Sequence, residues 1–104
     1  MGQQWRQGDV LFEAPALATT GLPIKAGDVL YQGEATGHAH RVQSPHGSAR
    51  IFSMNGTADL FLEVGPAGAT IVHEEHRPLT LDAGTYRVWR QREYDPRGAR
   101  SLQD

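Results

Sequence analysis

Apolar side chains in this chain come in short runs closed by glycine or proline, and no stretch holds the spacing of an amphipathic helix over three turns. The pattern therefore predicts strands. Val10-Leu11-Phe12, entered from Gly8-Asp9 and bounded by Pro15, predicts a first strand of about five residues, and residues 14–22 read as a loop. Val29 to Ala35 predicts the next strand, ending at Thr36-Gly37. His38 to Val42 begins another, whose alternation sets His38, His40 and Val42 on one face. Pro45-His46-Gly47 marks a turn, with His46 read as solvated. Arg50 to Met54 and Ala58 to Val64 flank Asn55-Gly56, the strongest two-residue hairpin signal in the chain. Ala69 to Glu74 runs as a strand toward Pro78, and Thr85 to Tyr94 is the last and longest, stopped by Asp95-Pro96. The Gly-Asp-Val-Leu of residues 8–11 returns at 27–30, and Leu79 to Tyr86 is a looser variation; each glycine punctuates a turn or corner.

Seven to nine short strands follow, with turn signals at roughly 8 to 12 residue spacing, which is the signature of an all-β sandwich or small barrel, cupin-like or jelly-roll-like. A conical barrel with its site in the mouth is the expected picture. At 104 residues the chain has room for one modest core, so residues 1–104 are expected to form a single domain, with 96–104 as a mobile tail. Hydrophobic residues at 38% and charged residues at 21% place it among globular rather than disordered proteins. The net charge of −2 excludes a strongly basic surface, so any RNA contact has to come from a local patch near the C-terminus. With no cysteine, disulfides and thiolate ligands are excluded and any metal must sit on nitrogen and oxygen. No run approaches the ~20 apolar residues of a membrane-spanning helix and no export signal is visible, so a cytoplasmic location is the expectation.

Four of the five histidines fall in two clusters, His38-Ala39-His40 and His73-Glu74-Glu75-His76. Neutral imidazole is the commonest protein metal ligand and titrates near neutrality, so grouped histidines point to a metal centre or to proton transfer. His-x-His on a strand aims both rings the same way, and the second cluster is expected to complete the set. On a regular strand His73 and Glu75 would share one face, with Glu74 and His76 on the other, so convergence requires a bend, which Pro78 makes reasonable. His38, His40, His73 and His76, helped by Glu74 or Glu75, suit zinc, iron(II), manganese or nickel. Glu34 is either surface or a partner orienting an imidazole.

The first expectation is metal-dependent hydrolysis of a phosphate ester or similar small polar substrate. The second is metal-independent ribonuclease chemistry, with the histidines as acid and base and Arg90, Arg92 and Tyr94 on one strand face, Arg41 lying beside the first cluster. The third is a non-enzymatic module in which the histidines are structural and Trp89 with Tyr86 packs in the core or at a homo-oligomer contact. Arg92 is taken as the basic helper and Tyr94 as a donor. Phosphate loops, nucleophile elbows and dinucleotide fingerprints are absent.

Leu22-Pro23-Ile24-Lys25-Ala26-Gly27-Asp28-Val29 followed by Gly37-His38-Ala39-His40 resembles the cupin pattern, in which a Gly-Asp turn precedes strands bearing metal-binding histidines. Cupins usually place a glutamate soon after His-x-His and a last histidine after a Pro-x-Gly turn; here Arg41-Val42-Gln43-Ser44 and His73-Glu74-Glu75-His76 stand instead. Gly33 to His40, His73 to His76 and Gln91-Arg92-Glu93-Tyr94 together look like a group of small bacterial and phage proteins. That likeness spans most of the chain and implies no activity. It implies that the Gln-Arg-Glu-Tyr strand belongs with the histidines.

Overall fold

The computed structural model describes residues 2–17, 19–33, 36–54, 57–93 and 100–101, with backbone alone at 46, 92–93 and 100–101. The chain is all-β. Its strands are β1 (Gln3–Gln7), β2 (Val10–Ala14), β3 (Ile24–Lys25), β4 (Val29–Gln32), β5 (Ala39–Gln43), β6 (Ala49–Ser53), β7 (Leu60–Val64), β8 (Ala69–Val72), β9 (Leu79–Leu81), β10 (Gly84–Arg90), β11 (Arg92–Glu93) and β12 (Arg100–Ser101). A 3-10 turn at Pro45–Gly47 joins β5 to β6.

Six strands form one antiparallel sheet in the order β1-β2-β10-β7-β6-β3, and four form a second in the order β4-β5-β8-β9. The two face each other as an open sandwich, with β11 and β12 as a separate pair. Alternation explains the core. Val10 and Phe12, Tyr86 and Val88, Leu60, Leu62 and Val64, and Ile51 line the inner face of the larger sheet, while Leu30, Val42, Ala69, Ile71 and Leu81 line the smaller one. Burying a side chain of this size stabilises by about 1.5–3 kcal/mol, so this shared layer is what holds the sheets together.

Several boundaries differ from expectation, and the architecture is a sandwich rather than a closed conical barrel. β1 was not foreseen, because Gln3-Gln4-Trp5-Arg6-Gln7 holds one apolar residue; it is an edge strand whose inner face carries Trp5 and Gln7. The strand from Val29 ends at Gln32, and the one from Ala69 ends at Val72, where the chain leaves the ladder and bends over residues 74–76. β10 stops at Arg90, and Gln91 breaks it from β11. β6 and β7 pair antiparallel as expected, while the Asn55-Gly56 tip between them lies outside the described residues, as do Glu34, Tyr94 and most of the segment beyond 95. Tyr86 is a core residue, whereas Trp89 is half-buried, with the Arg87 guanidinium 4.6 Å over its ring.

Candidate functional site

The two histidine clusters meet because β5 and β8 are neighbours. Their register sets Arg41 opposite Val72 and Val42 opposite Ile71. Continuing it past the end of β8 brings His40 against His73, Ala39 against Glu74 and His38 against Glu75. The contacts follow that order: the Ala39 N–H donates to Glu74 Oε1 at 3.0 Å, and His38 Nδ1 lies 2.6 Å from Glu75 Oε1. His40 follows Val42 on the inner face of β5, and His73 follows Ile71 on that of β8. Both rings therefore enter the end of the inter-sheet space, where the strand pattern would otherwise place hydrophobes.

His73 is the hub. Its ring centroid lies 4.4 Å from that of His40, 4.6 Å from His76 and 5.7 Å from His38, and His40 and His76 stack at 6.0 Å. The bend at 74–76 is what returns His76 to the side of His73, as the sequence required. His40 is fully buried and His73 nearly so, whereas the His38 side chain is 31% exposed beside a half-exposed Glu75.

The larger sheet supplies the other half. Gln7 precedes and Asp9 completes the Gly8-Asp9 tip of the β1–β2 hairpin, where Gly8 has φ 59°, a left-handed conformation that glycine reaches without steric cost. Gln7 Nε2 donates to the backbone carbonyls of Ile71 and Arg77, both at 2.9 Å, and Gln7 Oε1 lies 2.8 Å from His40 Nδ1. Asp9 Oδ1 stands 3.5 Å from His40 Nε2, and Asp9 Oδ2 pairs with Arg90 Nε at 2.9 Å. Arg90 continues the inner face of β10 beyond Val88, donates to the Gln32 carbonyl at 2.6 Å and lies over the Tyr31 ring. Four residues missed or underused by sequence reasoning, Gln7, Asp9, Arg90 and Gln32, thus tie the sheets together beneath the histidines. The available signal was Gly8-Asp9 itself, a two-residue hairpin loop read only as the entry to a strand.

These contacts fix protons. His38 Nδ1 lies against Glu75 Oε1 as an ion-pair contact without hydrogen-bond alignment, and an imidazole nitrogen beside a carboxylate oxygen favours carrying the hydrogen. His73 Nδ1 instead accepts the Glu75 N–H at 3.0 Å. His76 Nε2 is buried with no hydrogen-bond partner in the structure. Glu74 is held below its ordinary carboxyl value, first by the Ala39 N–H and then by its own N–H; burial opposes them, and the attractions of His38 and His73 add the smallest contributions. Beside the cluster a shallow groove of about 330 Å³ is lined by Ala39, Arg41, Val72, His73 and Glu74.

All four clustered histidines and Glu74 are therefore brought together. Among the described residues, no three His, Asp or Glu side chains already surround one point at which they could hold an ion. The Arg92 side chain and Tyr94 lie outside the described residues; among the described residues Arg90 reaches the network through Asp9.

The fold and this site define a small antiparallel β-sandwich protein with a histidine cluster closing one end of its core. A family model described as a domain of unknown function, DUF8820, matches residues 6–91, and the chain belongs to that family. Neither a curated protein nor a solved structure matches it. No helix among the described residues is long and apolar enough to cross a membrane.

Proposed function

We propose that the histidine cluster binds one divalent transition-metal ion and that the protein is a metal-dependent hydrolase of small polar esters, phosphate esters foremost. The observation that carries this reading is the pair of oxygen acceptors behind the rings, Glu75 Oε1 on His38 Nδ1 and Gln7 Oε1 on His40 Nδ1. Metal-bound histidines characteristically donate the second ring N–H to a carboxylate or carbonyl, which fixes the tautomer and raises the basicity of the ligating nitrogen. His38 would then offer Nε2, the buried Nε2 of His76 is a second donor, and His40 Nε2 would have to exchange its contact with Asp9 Oδ1 for the ion. Binding would require the His73 and His76 rings to rotate toward the ion, and nitrogen donors of this kind suit zinc, iron(II), manganese or nickel. The ion would lower the pKa of a bound water, the ionised Glu74 would take its proton, and Arg41 in the adjoining groove would attract an anionic ester. The test is elemental analysis of untagged protein, followed by hydrolysis of a chromogenic phosphate-ester panel with and without chelator. Stoichiometric metal and chelator-sensitive turnover are expected, and metal-free protein that takes up none of the four ions ends the reading.

A second reading is favoured by the partial exposure of the His38–Glu75 pair, which has the form of a general base backed by a carboxylate. It predicts RNA cleavage that survives excess chelator and is lost in His38→Ala.

A further inference from the structure

We propose that Gln7 is a positioning residue of the site: its amide holds a proton on Nδ1 of His40 and pins both ends of the segment bearing His73 and His76. The proposal rests on the metal-site reading for its consequence, and on hydrogen-bond geometry for its cause. An amide side chain has one donor end and one acceptor end. Both groups facing Gln7 Nε2 are backbone carbonyls, those of Ile71 and Arg77 at 2.9 Å, and neither can donate. Nε2 must therefore be the donor end, which leaves Oε1 as the atom 2.8 Å from His40 Nδ1. A carbonyl oxygen accepts only, so His40 Nδ1 bears a hydrogen, while Nε2 faces Asp9 Oδ1 at 3.5 Å.

The same amide bridges the ends of residues 72–76, since Ile71 precedes that segment and Arg77 follows it. Gln7 is 3% exposed and is anchored in the β1–β2 register opposite Val10, so the amide cannot swing away without leaving two buried carbonyls unsatisfied. One side chain from the larger sheet thus sets ring chemistry on β5 and loop geometry beyond β8. A residue that only filled space or satisfied backbone would have no influence on the tautomer of His40.

The experiment is long-range nitrogen–proton NMR of the histidine rings in metal-free protein, combined with zinc titration, on wild type, Gln7→Met and Gln7→Glu. Wild type should show His40 as the Nδ1–H tautomer. Gln7→Met, which removes the acceptor, should lose that preference and weaken zinc binding about 10- to 100-fold. Gln7→Glu retains an acceptor oxygen but, like Gln7→Met, cannot donate to both carbonyls, so where either variant fails to unfold cooperatively the wild-type ring decides the matter: a slowly exchanging Nδ1 proton on His40 is expected and its absence overturns the proposal. An Nε2–H tautomer in wild type, or a Gln7→Met protein with unchanged rings and unchanged zinc affinity, overturns the proposal. Wild type that binds no zinc but shows the tautomer change on substitution defeats the metal reading and leaves the positioning role standing.

Discussion

Asp9 and Arg90 are the residues where charge has been taken furthest from water, with side chains 2% and 11% exposed and 2.9 Å between Oδ2 and Nε. Removing one partner of such a pair strands the other, at a typical cost of about 3–5 kcal/mol, whereas the intact pair adds little net stability. Arg90→Met should therefore lower unfolding free energy in urea by about 3–5 kcal/mol, a large share of the ~5–15 kcal/mol of a small domain. A loss below ~1 kcal/mol would mean that water or the His40 ring takes over as the partner of Asp9. Glu74 differs in being exposed, so its contribution is small and is read through pH. Its folded value lies below the ordinary 4.5, so its stabilisation is complete above that value and is lost as pH falls through the folded one. Glu74→Gln should consequently lower stability slightly near neutral pH, with the difference from wild type vanishing as pH falls well below about 4.5, so that the acid limb is flatter. An acid limb identical to that of wild type would show that the Ala39 N–H contact carries no free energy.

The β1–β2 hairpin is the element on which the site depends most, because its two-residue tip delivers Gln7 and Asp9 together. Gly8 at φ 59° makes that tip; a side chain there costs about 1–2 kcal/mol, less for asparagine, which tolerates the left-handed region. Gly8→Ala should lower stability by that amount while Gly8→Asn lowers it less, and equal losses in thermal unfolding would contradict the turn geometry. This element was also the least legible in the sequence. β5 was readable because His38, His40 and Val42 alternate with Ala39 and Arg41, and the convergence of both clusters follows from one β5–β8 register. β1 was not, since an edge strand needs only one inward face and Trp5 with Gln7 gives a weak apolar signal. The end of β8 was overrun for a related reason: alternation continues through His73 and Glu74, but the chain bends over residues 74–76, with Gln7 holding the Ile71 and Arg77 carbonyls on either side of the bend. Such a long-range side-chain contact leaves no local pattern. Barrel and sandwich likewise share the same period-two alternation, and what separates them is whether the edge strands β1, β3, β4 and β9 find partners.

On the scale of the whole molecule, the sheets are joined in two different ways. Along most of the sandwich the join is apolar, through residues such as Phe12, Leu62, Ile71 and Val88. At the histidine end it is polar: Gln7 to Ile71 and Arg77, Asp9 to His40, and Arg90 to Gln32 each cross from the larger sheet to the smaller one or to its loop. An ion held by His38, His40 and His76 would brace the second join and has no equivalent site in the unfolded chain, so its binding free energy should appear as folding stability. At free metal one hundred times the dissociation constant the gain is about 2.7 kcal/mol, which for a domain of this length raises the unfolding midpoint by roughly 10–20 °C. Calorimetry of metal-free protein with added zinc, manganese, iron(II) or nickel should show such a rise for at least one ion, and chelator should reverse it. His76→Ala should shrink the shift sharply even where it leaves the metal-free midpoint in place, because the apolar layer does not involve that ring. A midpoint that none of the four ions moves would leave the histidine end as a structural polar seam and assign the gathered imidazoles to holding the sheets together.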